Sequence, residues 1–175
     1  AFLPESYGRV FFAHAVRNHI RRFLTSQDFI EVQTPLLSSR YNGGRSFPVI
    51  SAYLNQRVGY NRTTFEDRMQ ALIASGFEKI FQIGRVFRSG KELTFLEGYV
   101  AFMEWKQGKE LLKTLLSEVV RGLVKDGIGK ENEIASRLIT KNWLELDFIE
   151  EASLLLHLDK KITGDEQIFL LTHSL

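Results

Sequence analysis

The chain contains no cysteine, which excludes a disulfide framework, a thiolate-bound metal and a cysteine nucleophile. Proline is almost as scarce: the three prolines stand at positions 4, 35 and 48, so no proline interrupts an element beyond residue 48. No stretch approaches the roughly 20 apolar residues of a membrane span. The opening residues Ala1-Phe2-Leu3-Pro4-Glu5-Ser6 lack the basic-then-apolar pattern of a secretory leader. Neither sign of charge dominates. With 23 Lys+Arg against 21 Asp+Glu, the net charge of +2 is too small for a polycation that coats nucleic acid. The four histidines, His14, His19, His157 and His173, show no metal-ligand spacing, and no metal site is expected. P-loop, nucleophile-elbow and dinucleotide fingerprints are missing, since Gly127-Ile128-Gly129 lacks the third glycine and reads as a helix stop. These absences predict a soluble cytoplasmic protein without a membrane partner.

What is present is an ordinary globular composition, 44% hydrophobic and 25% charged, over 175 residues. Charge is uneven along it: residues 1–88 carry 12 basic against 6 acidic side chains, residues 89–175 carry 11 against 15. The basic first half permits an anionic ligand there. From Arg9 to Thr25 the apolar Val10, Ala13, Val16, Ile20, Phe23 and Leu24 recur at helical spacing with arginines between them. Phe29 to Gln33 alternates like a strand, closed by Pro35 at an edge or strand end. Residues 38–46 form a glycine-containing loop, and Phe47 to Tyr60 reads as one or two strands. Phe65, Met69, Leu72 and Ile73 mark a short helix ending near Gly76. Lys79–Phe87 and Leu93–Phe102 read as an antiparallel hairpin turned at Ser89-Gly90-Lys91-Glu92. Leu111 to Val124 carries the longest helical stripe, and two further helices, around 131–140 and 146–158, precede an apolar segment at 167–171. Helices flanking an antiparallel sheet make the fold class α+β.

The hairpin holds the most informative side chains. Arg88 stands at the mouth of its turn, on the opposite face from Arg85, while Glu97 and Tyr99, two residues apart, share a face. An arginine facing a carboxylate and a phenol can hold a phosphate beside an ammonium group. The same residues would equally form a cross-strand ion pair on an exposed sheet.

Three stretches in order resemble the class II aminoacyl-tRNA synthetases, in the subgroup for lysine, aspartate and asparagine. Helix 9–25 with Asp28-Phe29-Ile30-Glu31-Val32-Gln33-Thr34-Pro35-Leu36-Leu37 is similar to the first motif of that family, here at 9–37. Gly43-Gly44 through Phe47, then Arg62 and Glu66, is similar to the amino-acid pocket. Gly76 through Arg88, with Leu93 to Tyr99, is similar to the second motif, here at 79–104. The resemblance covers residues 9–125 and is nearest to lysyl-tRNA synthetases and their paralogues that attach a lysine-type group to a protein. It implies a synthetase-like core at 1–125, a helical segment of separate assignment at 126–175, and a homodimer through residues 9–37. It implies ATP and Mg²⁺ as cofactors, an amino acid as substrate, and tRNA, or a protein in the paralogue, as acceptor. Arg88 would be the catalytic and ATP-binding residue, holding the α-phosphate and the substrate carboxylate. Glu97 would take the α-ammonium, Glu66 and Tyr99 the side-chain ammonium, and Gly44 would offer backbone. The chain departs from the family where Gly90 replaces an acidic residue, where the hairpin loop is short, and where no third motif is found around Arg137. Three readings therefore stand together: a piece of a longer synthetase, a paralogue with another acceptor, or a non-catalytic dimerisation module.

Overall fold

The computed structural model describes residues 4–39, 41, 46–88, 90–128, 133–140 and 143. The chain divides into two compact units, Ala1–Lys141 and Asn142–Leu175, and the fold described below is that of the first. The helix expected over 146–158 and the apolar segment at 167–171 lie outside the described residues.

Helix α1 runs Pro4–Ser26, one turn earlier than the apolar periodicity indicates, because proline is well suited to a first helical turn. It closes on itself: Gln27 N–H donates to Phe23 O at 3.2 Å and Phe29 N–H to Leu24 O at 3.0 Å. Asp28 takes φ +65 between them, the left-handed residue that ends such a helix. The chain then enters β1 (Ile30–Glu31), far shorter than the expected 29–33 strand. Further strands are β2 (Leu37–Ser38), β3 (Pro48–Ser51), β4 (Gln56–Asn61), β5 (Lys79–Arg88) and β6 (Lys91–Val100). Helices α2 (Glu66–Ala74), α3 (Trp105–Lys125) and α4 (Glu133–Ile139) complete the unit. Gly76, at φ +101, and Gly127, at φ +69, sit just past the ends of α2 and α3. Only glycine enters that region without penalty, so both act as the helix stops expected of them.

Two sheets form. The larger has the order β1-β5-β6, the smaller β2-β4-β3. β5 and β6 pair antiparallel over ten rungs, from Lys79 with Val100 to Arg88 with Lys91. The expected antiparallel sheet is thus mixed, because β1 joins the free edge of β5 in parallel. A parallel neighbour requires a long crossover connection, and the chain between β1 and β5, including the small sheet and α2, supplies it.

The larger sheet is covered on both faces. On one, α1 and α3 bury Ala15, Leu24, Phe29, Leu115, Val119 and Leu123 around Phe81. The helices approach closely there: a Cβ on Gly122 would lie 2.3 Å from the His19 ring, whose Nε2 is 2.8 Å from Asp126 Oδ2. On the other face α2 lays Phe65 and Met69 over Ile80 and Val86, all four fully buried. Each such side chain contributes about 1.5–3 kcal/mol by leaving water. The second face carries the candidate site.

Candidate functional site

Register decides which side chains meet. Residues opposite each other in an antiparallel pair point to the same face. Ile80 opposes Tyr99, Gln82 opposes Glu97, Gly84 opposes Phe95, and Arg88 opposes Lys91. Arg88, Glu97 and Tyr99 therefore share the face covered by α2, with Phe95 between Glu97 and the turn. The cross-strand ion pair that spacing also allowed is not formed, since the rung partners of Arg88 and Glu97 are Lys91 and Gln82. The strands pair as far as Arg88 and Lys91, further than the expected turn at 89–92, and Gly90 just before β6 takes φ +74, a region open to glycine.

Arg88 is anchored at its base. Its Nε–H donates to Thr63 O at 2.9 Å, and its guanidinium carbon lies 4.2 Å from the centroid of the Phe95 ring. Neither Nη nitrogen has a partner among the described residues, which leaves the forked end of the guanidinium open for an oxyanion.

Residues 61–67 run across the end of β5 and hold the site together. Asn61 Nδ2–H donates to Phe87 O at 3.2 Å and Phe87 N–H to Arg62 O at 3.4 Å. Glu97 Oε2 accepts from Phe65 N–H at 3.0 Å. Arg62, only 3% exposed, pairs with Asp67 in the first turn of α2. Glu66 occupies the position before it and accepts from Gln70 Nε2–H at 3.1 Å. Two carboxylates in the first turn suit the positive end of a helix, which is one reason for their placement.

The proximity of these groups shows in their electrostatics. Burial raises the Glu97 carboxyl above the ordinary range; the Phe65 N–H opposes this, Glu66 adds to it, Arg88 opposes it and Asp67 adds again. Burial likewise raises the Tyr99 phenol, with Glu97, Glu66 and Asp67 contributing in that order. Four of the predicted residues, Arg88, Glu97, Tyr99 and Glu66, thus converge on one face. Gly44 lies outside the described residues. Sequence reasoning missed Thr63, Phe65, Asp67 and Phe95, which position the others. Asp67 carried a signal, a second acid beside Glu66, whereas nothing local marks a backbone carbonyl such as that of Thr63.

Such a cluster can bind an anion at the guanidinium and cations at the carboxylates, side by side. Among the described residues no group of three His, Asp or Glu could hold a metal ion. No described helix is long and apolar enough to cross a membrane.

Residues 5–166 match the family of class II tRNA synthetases for D, K and N. That match continues past residue 125, where the motif resemblance stops. A Lysine--tRNA ligase of Wigglesworthia glossinidia brevipalpis is 34% identical over 125 residues, 67% of this chain and 24% of the relative. A Lysine--tRNA ligase of Sulfolobus acidocaldarius is 36% identical over 116 residues, 61% of this chain and 23% of the relative. One from Listeria innocua is 28% identical over 176 residues, 93% of this chain and 34% of the relative. The chain therefore spans about a quarter to a third of the length of the curated relatives it matches.

Proposed function

The chain belongs to the class II tRNA synthetases of the D, K and N group, and from that premise we propose that it takes part in activating lysine with ATP. In that reaction a lysine carboxylate oxygen attacks the α-phosphorus of ATP. A P–O bond to the acyl oxygen forms, the bond to pyrophosphate breaks, and lysyl-adenylate results. The aminoacyl group then passes to tRNA in the cytoplasm.

The observation that carries the reading is the free fork of Arg88 set beside three carboxylates, Glu66, Asp67 and Glu97. Negative charge accumulates on the phosphoryl oxygens during attack, and a guanidinium already held by Thr63 and Phe95 meets it without reorganising. The nucleophile is ionised at neutral pH, so no general base is needed; orientation supplies the rate. Glu97 takes the α-ammonium, and Glu66 and Tyr99 take the side-chain ammonium. An acidic substrate would place another carboxylate among acids, which discriminates against aspartate. Mg²⁺ would arrive with ATP and neutralise charge on its phosphates.

A homodimer through residues 9–37 accompanies this reading. Val10, Phe11 and Phe12 on α1, Ile30 on β1, and Leu36 and Leu37 around β2 are all exposed, and burying them against a second copy would be favourable.

ATP–pyrophosphate exchange tests the proposal. We expect lysine-dependent exchange that Arg88→Ala lowers at least about 10²-fold, the scale of removing one transition-state donor. Exchange unchanged in that variant would overturn the phosphate assignment. The short connection between β5 and β6, whose last pair is Arg88 with Lys91, favours a second reading for the acceptor, a protein amine. Adenylate formation without transfer to tRNA would select it.

A further inference from the structure

We propose that Gln82 is a further substrate-binding residue, whose side-chain N–H groups hold the carboxylate of the amino-acid ligand. This role rests on the lysine-activation reading and adds to it the group that orients the nucleophile. Gln82 lies within β5 and is only 4% exposed. It opposes Glu97 on β6, so its side chain shares the face of Arg88, Glu97 and Tyr99.

The orientation of its amide is fixed by Thr34. Thr34 N–H donates to Gln82 Oε1 at 3.0 Å, and Thr34 Oγ1 lies 2.9 Å from the same oxygen. A backbone N–H can only donate, so the atom that meets it is the amide oxygen and the nitrogen points the other way. A Cβ built on Gly84 would fall 3.2 Å from that nitrogen, so Nε2 extends along β5 in the direction of Arg88. Its hydrogens have no partner among the described residues: Glu97, across the rung, accepts from Phe65 N–H instead. A tether to Thr34 accounts for the oxygen and leaves the nitrogen unexplained. An unpaired donor on so buried a residue is unfavourable, and a ligand acceptor would relieve it.

Position along the strand identifies that acceptor. Nε2 lies between Glu97, the proposed partner of the α-ammonium, and Arg88, the proposed partner of the phosphate. In an α-amino acid the carboxylate is bonded to the carbon that bears the ammonium. A ligand whose ammonium meets Glu97 therefore carries its carboxylate into this interval. One carboxylate oxygen then accepts from Gln82 and the other is left to attack phosphorus. The oxygen held by Gln82 becomes the acyl carbonyl of the adenylate and still accepts, so no proton moves. The gain is orientation of the nucleophile.

Isothermal titration calorimetry of the full chain tests this with two probes: lysine, and cadaverine, which is lysine without its carboxylate. Gln82→Glu keeps an oxygen for Thr34 and loses the donor; Gln82→Met stays neutral and loses both. Each variant should weaken lysine binding at least about tenfold, the scale of a hydrogen bond to a charged group. Neither should weaken cadaverine. Gln82→Met should also melt lower, because it strands the Thr34 donors. The two variants disturb the fold in different ways, so a loss confined to lysine in both is the signature of the missing N–H. Unchanged lysine affinity in either variant, or an equal loss for cadaverine, would overturn the assignment of Gln82 while leaving the lysine reading in place. A parent chain that binds neither probe would overturn that reading and the role of Gln82 with it.

Discussion

Gly84 offers a demanding perturbation because its substitution changes one methyl group and nothing else. A Cβ built there would fall 2.8 Å from Cζ of Phe65 and 3.2 Å from Nε2 of Gln82. Phe65 is fully buried with Met69, Ile80 and Val86, so its ring has nowhere to go without displacing them. Overpacking of this kind costs about 1–3 kcal/mol. Replacing a strand glycine by alanine returns about 0.5–1 kcal/mol through the unfolded chain. The net loss for Gly84→Ala therefore lies between about 0 and 2.5 kcal/mol and is centred on about 1 kcal/mol, which lowers Tm by about 2–4 °C in a chain of this size. A second consequence is local: the Phe65 N–H that moves with the ring is the one bound to Glu97. Removing it raises the Glu97 carboxyl further, since that hydrogen bond opposes the effect of burial. Thermal unfolding and the lysine KM should consequently worsen together, while Phe65→Leu in the Gly84→Ala background should recover part of both. A Gly84→Ala protein that melts at the parent temperature would refute the packing account, and one that melts low with unchanged lysine KM would refute the link to Glu97.

Glu97→Gln tests the pH behaviour. The folded-state carboxyl of Glu97 is raised above its unfolded value of about 4.3, so the stability it lends is complete below that value and is lost as pH rises through the folded one. Denaturant titrations should show the parent losing stability over that window relative to Glu97→Gln; a parallel pair of pH profiles would contradict this. Leu37→Asp, on the exposed edge of β2, should convert a dimer into a monomer by light scattering. A parent chain that already runs as a monomer would defeat the proposed interface.

The sequence displayed its elements unevenly. α3 and the β5–β6 hairpin were legible because each is set by local signals: a long apolar stripe in one, two alternating runs around Gly90 in the other. β1 was legible as extended chain but not as a two-residue parallel strand, since its length depends on how much of it β5 can reach. The face shared by Arg88, Glu97 and Tyr99 followed from period-two alternation once the turn was placed. What holds those residues did not. The contacts of Arg88 with Thr63, and of Glu97 with Phe65, join positions 25 and 32 residues apart, and the acceptor in the first and the donor in the second are backbone groups. Backbone atoms are the same in every residue, so no sequence pattern announces them.

The proposed ligand accounts for a balance of charge at this face that folding alone does not require. Arg62 is committed to Asp67, which leaves Arg88 as the cation that lowers the Glu97 carboxyl, against Glu66 and Asp67 that raise it. Burial is the largest cause of the raised Glu97 and Tyr99 groups, and the neighbouring carboxylates add to it. A sequence selected only to keep α2 on the sheet would satisfy the helix terminus with one acid and leave Glu97 apolar. Two ammonium groups brought by one ligand would relieve the repulsion, and its carboxylate would meet the open fork of Arg88. In the proposed reading, the same acidic face that is costly without a ligand would favour one that brings two ammonium groups.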